Sequence, residues 1–146
     1  MNTKTEILYP KSLLLLFLIY SLCFLGACIN HARDILLGGL FPYDDVPFFY
    51  NAFWTSLVVI DPIVPILFIL RKPKYAMLLA LSVMICDVTI NTFFAVNYRY
   101  SIYDGNINLQ VQTAFLIFTL GTVPSAWKVV SSHQRDRKLR SRLSNQ

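Results

Sequence analysis

Apolar residues dominate four long stretches of the chain, and short polar segments separate them. Each stretch lies in a wide gap between charged residues, and two gaps contain a single aspartate near the middle, Asp61 in the second and Asp87 in the third. A helix needs about 20 mostly apolar residues to cross a hydrocarbon core of about 30 Å. The pattern therefore predicts four transmembrane helices.

The four spans are predicted at about residues 12–29, 49–70, 75–97 and 109–127. The connections are short, so we expect an all-α, polytopic membrane protein with one four-helix transmembrane domain over residues 1–132. A basic cytoplasmic tail, loosely ordered, is expected over residues 133–146.

Two irregular features are predicted within this bundle. In the first outer loop, the apolar run 34–41 is too short to span a membrane and too apolar for a solvated loop. It predicts a short interfacial segment, either a brief amphipathic helix or a shallow re-entrant turn. In the second span, Asp61 precedes Pro62, and a proline after an Asp cap is typical of a helix start. We therefore expect the second helix to be broken at that point.

Composition and charge agree with this topology. The 146-residue chain is 55% hydrophobic and only 14% charged, whereas soluble domains average about 25% charged residues. Of the 13 Lys and Arg residues, only Arg33 and Arg99 lie in the segments after the first and third spans. By the positive-inside rule, both termini are expected in the cytoplasm. The expected location is integral to a membrane, most simply a bacterial inner membrane.

The cysteines allow a second interpretation of the first span. Residues 25–28 (Leu-Gly-Ala-Cys) resemble the lipobox of bacterial lipoproteins, in which the cysteine is lipidated and becomes the new N-terminus. Small residues near a helix end are also ordinary helix-packing composition. Cys23, Cys28 and Cys86 are an odd number without a Cys-x-x-Cys motif, which argues against a disulfide framework or a zinc site. No metal and no cofactor are expected.

The two mid-membrane aspartates are the strongest candidates for function. A charged carboxylate at that depth costs about 2.5–3.5 kcal/mol on insertion scales, so neither residue is expected to face lipid. Because a tight turn joins the second and third helices, Asp61 and Asp87 can point into the bundle interior at one level. Two neighbouring carboxylates ionise together only at high cost. At least one of them is therefore expected to hold a proton at neutral pH.

Other polar side chains lie on the outer side of that level. Residues four or seven apart share a helix face; Asn91 follows Asp87 by four, and Trp54 precedes Asp61 by seven. On the fourth helix, Gln112 lies seven residues outward from a mid-span threonine. We therefore expect a polar pocket that opens to the outside. Its predicted ligand-binding residues are Asp61, Asp87, Asn91, Trp54, Gln112 and Thr119.

Each aspartate also has a purely structural interpretation. Asp61 can cap backbone amides that Pro62 frees at the start of the inner half of the second helix. Asp87 and Asn91 can hydrogen-bond neighbouring helices, as intramembrane polar groups often do. The basic run between Arg135 and Arg142 can bind anionic lipid or serve only as a topological anchor. No aromatic residue interleaves that run, so nucleic acid binding is not expected.

The four-helix layout, the acidic mid-membrane residues and Pro62-Ile-Val-Pro65 in the second helix resemble the EXPERA group. That group includes sterol isomerases and sigma-2-type receptors, and the resemblance implies a pocket for cationic amphiphilic or sterol ligands. The isomerases' pocket histidine and glutamates have no counterpart, since His31 and His133 lie outside the spans and Glu6 is the only glutamate. The resemblance therefore does not extend to isomerase activity. A separate bacterial membrane family is the alternative.

Three functions follow from this pattern. The first is a non-enzymatic membrane protein whose acidic pocket binds a small lipophilic or cationic ligand or responds to protons. The second is an accessory, regulatory or immunity-type protein that docks on a larger membrane protein partner. The third is a small lipid- or sterol-modifying enzyme, which ranks last because no acid–base pair with His or Glu is present. Membrane lipids are expected partners in all three.

Overall fold

The computed structural model describes residues 9–43, 46–99 and 107–143, and helices make up most of this part of the chain. Among these residues, four helical units are long and apolar enough to cross a membrane: Lys11–Gly38, Phe48–Ile69, Pro73–Tyr98 and Ile107–Leu143. The predicted all-α four-helix bundle is therefore confirmed. The elements are α1 (Lys11–Gly38), α2 (Phe48–Ile60), α3 (Ile63–Ile69), α4 (Pro73–Phe94), a π-helical turn (Ala95–Arg99) and α5 (Ile107–Leu143).

Large apolar side chains cover the outside of the bundle. Exposed positions occur on every long helix, among them Leu22, Ile29, Val59, Leu78 and Ile117. In water an apolar surface of this extent would drive association, whereas in lipid it contacts chains of similar polarity. The chain is accordingly an integral membrane protein.

The first helix is longer than the sequence pattern predicts. It continues without interruption through the polar residues after Ile29 and ends at Gly38. Gly39 terminates it, with a φ of 79° and a backbone N–H that donates to the Ile35 carbonyl at 2.8 Å. The prediction of a separate interfacial segment at 34–41 is wrong in this respect, because most of that run forms the last turns of α1. Asp34 therefore lies on a helix and not in a loop.

The second span is interrupted between α2 and α3, as predicted, but the interruption is mild. Asp61 and Pro62 both keep helical backbone angles, and the Asp61 N–H still donates to Leu57 at 2.9 Å. Pro62 has no N–H, so the carbonyl of Val58 one turn earlier loses its helical donor. The Cys28 thiol donates to that carbonyl at 3.4 Å. No side-chain cap is present at the start of α3, so the capping role considered for Asp61 is not observed.

A tight turn joins α3 to α4. Arg71 adopts a φ of 58°, and its N–H donates to Phe68 at 3.0 Å while that of Lys72 donates to Leu67 at 2.9 Å. This pair of bonds is the Schellman arrangement that ends many helices. Pro73 then begins α4, which packs against α3 and α5. We call this end of the bundle the proximal end, and the opposite end, where α1 stops and α2 begins, the distal end.

Aromatic side chains fill the proximal half between α1 and α5. Tyr20 is fully buried at its centre and shares a 2.9 Å hydrogen bond with Thr122 of α5. The rings of Phe68, Phe115 and Phe118 lie about 6 Å from the Tyr20 ring. This half is therefore solidly packed, and open space is found in the distal half.

The fifth helix extends well beyond the bundle. Its 37 residues correspond to a length of about 55 Å at the α-helical rise, against a hydrocarbon core of about 30 Å. It is helical through Leu143. The prediction that the tail from residue 133 is loosely ordered is therefore wrong: no Gly or Pro interrupts the chain between Lys128 and Leu143, and the helix continues.

Candidate functional site

A cavity of about 520 Å³ lies in the distal half of the bundle. All four membrane-spanning units contribute to its walls, and residues Tyr43 and Val46 of the first connection contribute at its distal side. Its volume falls within the range of about 300–1,000 Å³ that is typical of small-molecule sites. The cavity contains most of the polar residues that the sequence singles out.

Asn91 joins three helices across this cavity. Its side-chain oxygen accepts a hydrogen bond from the Trp54 indole N–H at 2.9 Å. Its amide nitrogen donates to Asp87 Oδ1 at 2.7 Å and to Gln112 Oε1 at 3.2 Å. Trp54 lies on α2, Asp87 on α4 and Gln112 on α5, so four of the six predicted residues form one network. All four line the cavity.

Asp61 faces the same cavity from α2 but stands apart from that network. The residue is 2% exposed, and no donor in the described part of the chain bonds its carboxylate. Every fully enclosed side-chain N or O among the described residues has a hydrogen-bond partner. The Asp61 oxygens must therefore border the open space of the cavity, and not the packed interior.

Asp61 and Asp87 lie on different helices and line the same cavity. Asp87 is 7% exposed and has one donor, Asn91, whereas Asp61 has none among the described residues. Their role in ligand binding stays a prediction. The described residues that line the cavity include no Lys and no Arg, and the histidine among them, His31, lies in the distal part.

Aromatic and aliphatic side chains form the rest of the walls. The Trp54 ring meets the Tyr43 ring edge-on at 5.0 Å and the Phe94 ring edge-on at 5.2 Å. Phe24 and Phe115 line the opposite side. The site thus combines acidic groups at its base with aromatic surfaces above them, which suits a ligand with a polar head and an apolar body.

α1 also contributes to this cavity, which the sequence pattern did not predict. Asn30, His31 and Asp34 line its distal part, because α1 continues past Ile29 and carries them inward. The signal was present in the spacing, since Ala27, Asn30 and Asp34 recur at intervals of three and four residues on one helix face. Because these polar residues follow the predicted end of the first span at Ile29, the sequence pattern predicted a loop there.

The first connection is held against this end of α1. The Tyr43 hydroxyl donates to Asp34 Oδ2 at 2.6 Å. The Tyr43 backbone exchanges two hydrogen bonds with the buried Asn51 side chain, with the Tyr43 N–H donating at 3.2 Å and the Asn51 amide donating at 2.5 Å. These contacts fix Tyr43 beside the cavity. The turn residues Asp44 and Asp45 lie outside the described residues.

Thr119 does not belong to the cavity. It is fully buried, and its hydroxyl donates to the Phe115 carbonyl of its own helix at 2.7 Å. It shares a helix face with Gln112, as predicted, but lies about 10 Å further along the axis, toward the proximal end. The inclusion of Thr119 among the pocket residues is therefore corrected.

Among the described residues, no group of three or more His, Cys, Asp and Glu side chains is placed to hold a metal ion. Comparison with known proteins gave no matching family model, no similar curated protein and no similar solved structure. The resemblance to the EXPERA group therefore stays a prediction. Function has to be argued from the chemistry of the cavity itself.

Proposed function

We propose that this protein binds a small lipophilic organic cation, an amine with an apolar body, in the distal cavity. Asp61 and Asp87 supply the negative charge that the ammonium group meets. The observation that supports this most directly is Asp61: it is 2% exposed, borders the cavity and has no hydrogen-bond donor among the described residues.

A buried carboxylate without a partner is costly. Leaving a buried acceptor unsatisfied costs about 1–3 kcal/mol, and more when the group is charged. A second carboxylate, Asp87, lines the same cavity. The described lining contains no Lys or Arg that would lower this cost, and its histidine, His31, lies in the distal part. We infer that a cationic ligand supplies the compensating charge. An ammonium group supplies both a positive charge and several N–H donors.

The rest of the Asp87 side chain is available to the same ligand. Asn91 donates only to Oδ1, and no described donor bonds Oδ2. Asn91 is itself held by Trp54 and Gln112, so the Asp87 carboxylate keeps one orientation while Oδ2 remains free. Two acceptor groups, one on α2 and one on α4, therefore converge on the position of the ligand's nitrogen.

The walls suit the apolar part of such a ligand. Trp54, Phe94 and Tyr43 form an aromatic cluster above the carboxylates. A cation beside such rings gains about 0.5–2 kcal/mol, with the larger values at sites from which water is excluded. A neutral ligand of the same shape would gain the apolar contacts but would leave Asp61 without a partner. A proton on the carboxylate is the competing way to remove the charge, so protons and cations would oppose each other at this site.

The test compares hexylamine with hexanol, its neutral counterpart, by calorimetric titration of the purified full-length protein in detergent. We expect measurable binding of hexylamine and at least about tenfold weaker binding of hexanol, since a hydrogen bond to a charged group contributes about 1.5–3 kcal/mol. Asp61→Asn and Asp87→Asn keep the side-chain shape. Each should weaken hexylamine binding about tenfold to a hundredfold.

Asp136→Asn is the matched control, because Asp136 is an exposed residue on the distant C-terminal part of α5. It should bind hexylamine as the unmodified protein does. The proposal fails if hexanol binds as tightly as hexylamine, or if neither cavity variant differs from the Asp136→Asn control.

The orientation of the cavity follows from the distribution of Lys and Arg. We propose a bacterial inner membrane with both termini in the cytoplasm, because positive residues concentrate at the proximal end and in the tail. The distal cavity would then open away from the cytoplasm and take its ligand from that side. Protease accessibility of terminal tags in right-side-out vesicles measures this orientation; cleavage of either tag from outside would contradict it.

A further inference from the structure

A third carboxylate, Asp34, lines the distal part of the same cavity. We infer that the site has two parts and takes a linear dication, with one amine at the Asp61–Asp87 pair and the second at Asp34. The inference rests on the proposed function and narrows its ligand from amines in general to linear diamines or polyamines.

The two parts of the site are separated along the axis of α1. Cys28 marks the level of the deep pair, because its thiol contacts the carbonyl of Val58, which precedes Asp61 on α2 by less than one turn. Asp34 lies six residues further along α1, which corresponds to about 9 Å at the α-helical rise. A ligand that meets both acidic positions therefore needs its two cations at about this separation, and a single ammonium group cannot reach both.

Asp34 keeps one oxygen for a ligand. The Tyr43 hydroxyl donates to Oδ2 at 2.6 Å, while no donor in the described part of the chain bonds Oδ1. The Tyr43 ring is in turn held edge-on against Trp54 at 5.0 Å. The Asp34 carboxylate is therefore fixed in position at the distal part of the cavity, and its neighbour on α1, Arg33, is exposed and outside the lining.

The wall between the two acidic positions is apolar on one side only. On α2 it contains Leu57 and Trp54, and on α1 the stretch between Cys28 and Asp34 contributes Asn30 and His31. A chain of methylene groups packs against the side formed by Leu57 and the Trp54 ring.

The experiment measures binding of a diamine series to the purified full-length protein by calorimetric titration. The probes are putrescine, hexamethylenediamine, octamethylenediamine and decamethylenediamine, with hexylamine as the monovalent reference. Because a second contact on the same molecule acts at a high effective concentration, the best diamine should bind at least about tenfold tighter than hexylamine. Affinity should pass through a maximum with chain length, and should not rise steadily with the number of methylene groups.

Asp34→Asn provides the matched variant. The asparagine oxygen can still accept the Tyr43 hydroxyl hydrogen bond, so the local structure is retained while the charge is lost. Measured on this variant, the advantage of the best diamine over hexylamine should fall to less than about twofold. Asp136→Asn serves again as the control and should keep the full diamine advantage.

The outcomes separate this inference from the proposed function. Binding of hexylamine with no diamine advantage at any chain length, or an advantage that survives Asp34→Asn, overturns the two-part site and leaves the amine site standing. A steady rise of affinity with chain length in place of a maximum also overturns it. If no amine binds, the proposed function itself fails.

Discussion

Replacing Asp61 with leucine tests whether Asp61 stabilises the folded protein or serves to bind a ligand. Leucine has nearly the same branched shape as aspartate, so Asp61→Leu removes the carboxylate with little change in packing. Asp61 is 2% exposed and has no donor among the described residues, and α3 starts without a side-chain cap. No described hydrogen bond is lost, so we expect the free energy of unfolding of the variant to be higher than that of the unmodified protein.

The magnitude follows from the burial of the carboxylate. An unsatisfied buried acceptor costs about 1–3 kcal/mol. On insertion scales, a mid-membrane aspartate costs about 2.5–3.5 kcal/mol and leucine gains about 0.3–0.6 kcal/mol, which gives an upper bound of about 4 kcal/mol. A proton held by the carboxylate removes part of this cost. We therefore expect Asp61→Leu to stabilise the ligand-free protein by about 1–3 kcal/mol.

Asp87→Leu is the matched comparison on the neighbouring helix. Asp87 accepts a 2.7 Å hydrogen bond from Asn91, and its loss leaves the Asn91 amide nitrogen with Gln112 as its remaining described acceptor. The same substitution should therefore destabilise the protein at this position, by about 1–3 kcal/mol. We therefore predict that substitution by leucine changes the free energy of unfolding in opposite directions at these two aspartates, which lie at similar depth.

The assay is reversible unfolding in mixed micelles, with increasing sodium dodecyl sulfate and with tryptophan fluorescence and circular dichroism as probes. Both variants and the Asp136→Asn control are measured without added amine. If Asp61→Leu lowers the free energy of unfolding by more than about 1 kcal/mol, beyond the usual scatter of about 0.5 kcal/mol for surface substitutions, Asp61 stabilises the bundle. Its unpartnered state would then be no argument for a ligand.

Two further substitutions test the network and the limits of the cavity. Asn91→Leu removes three hydrogen bonds and leaves the Trp54 N–H without its acceptor. We therefore expect the free energy of unfolding to fall by about 2–4 kcal/mol in the same assay, and the tryptophan emission to shift. An unchanged emission spectrum would contradict the network. Thr119→Val removes a hydroxyl that bonds its own helix outside the cavity, so calorimetric titration should give an unchanged hexylamine affinity, and a tenfold loss would return Thr119 to the site.

Helical spacing was sufficient to group Trp54, Asp87, Asn91 and Gln112 in one polar region, because that grouping depends on which residues share a helix face. Asn91 follows Asp87 by one turn on α4, and Trp54 lies on α2 at a neighbouring level; the structure joins them through the Asn91 amide. The helix face on which a residue lies does not determine its depth relative to residues on other helices. Gln112 and Thr119 share a face of α5, but a separation of about 10 Å along the axis places one in the cavity and the other in the packed core.

Helix ends were predicted less well, for a related reason. The charges after Ile29 and after Lys128 predict where the chain leaves the hydrocarbon, and they were interpreted as the ends of the helices. A helix satisfies its own backbone hydrogen bonds in water as well as in lipid, so it continues until a residue such as Gly39 stops it. That error concealed Asn30, His31 and Asp34, whose side chains line the cavity only because α1 continues.

The break in the second span brings together backbone carbonyls that lack a helical donor and the buried carboxylate of Asp61. Pro62 deprives the Val58 carbonyl of its helical donor, and the Cys28 thiol of α1 meets that need at 3.4 Å. Pro65 likewise deprives the Asp61 carbonyl of a donor, and the Val64 N–H bonds it at 3.2 Å. The backbone of the break is therefore satisfied without the Asp61 side chain. The Asp61 carboxylate is therefore not needed by the break; it lines the cavity together with Asp87 and has no donor among the described residues, and the proposed amine site rests on that observation.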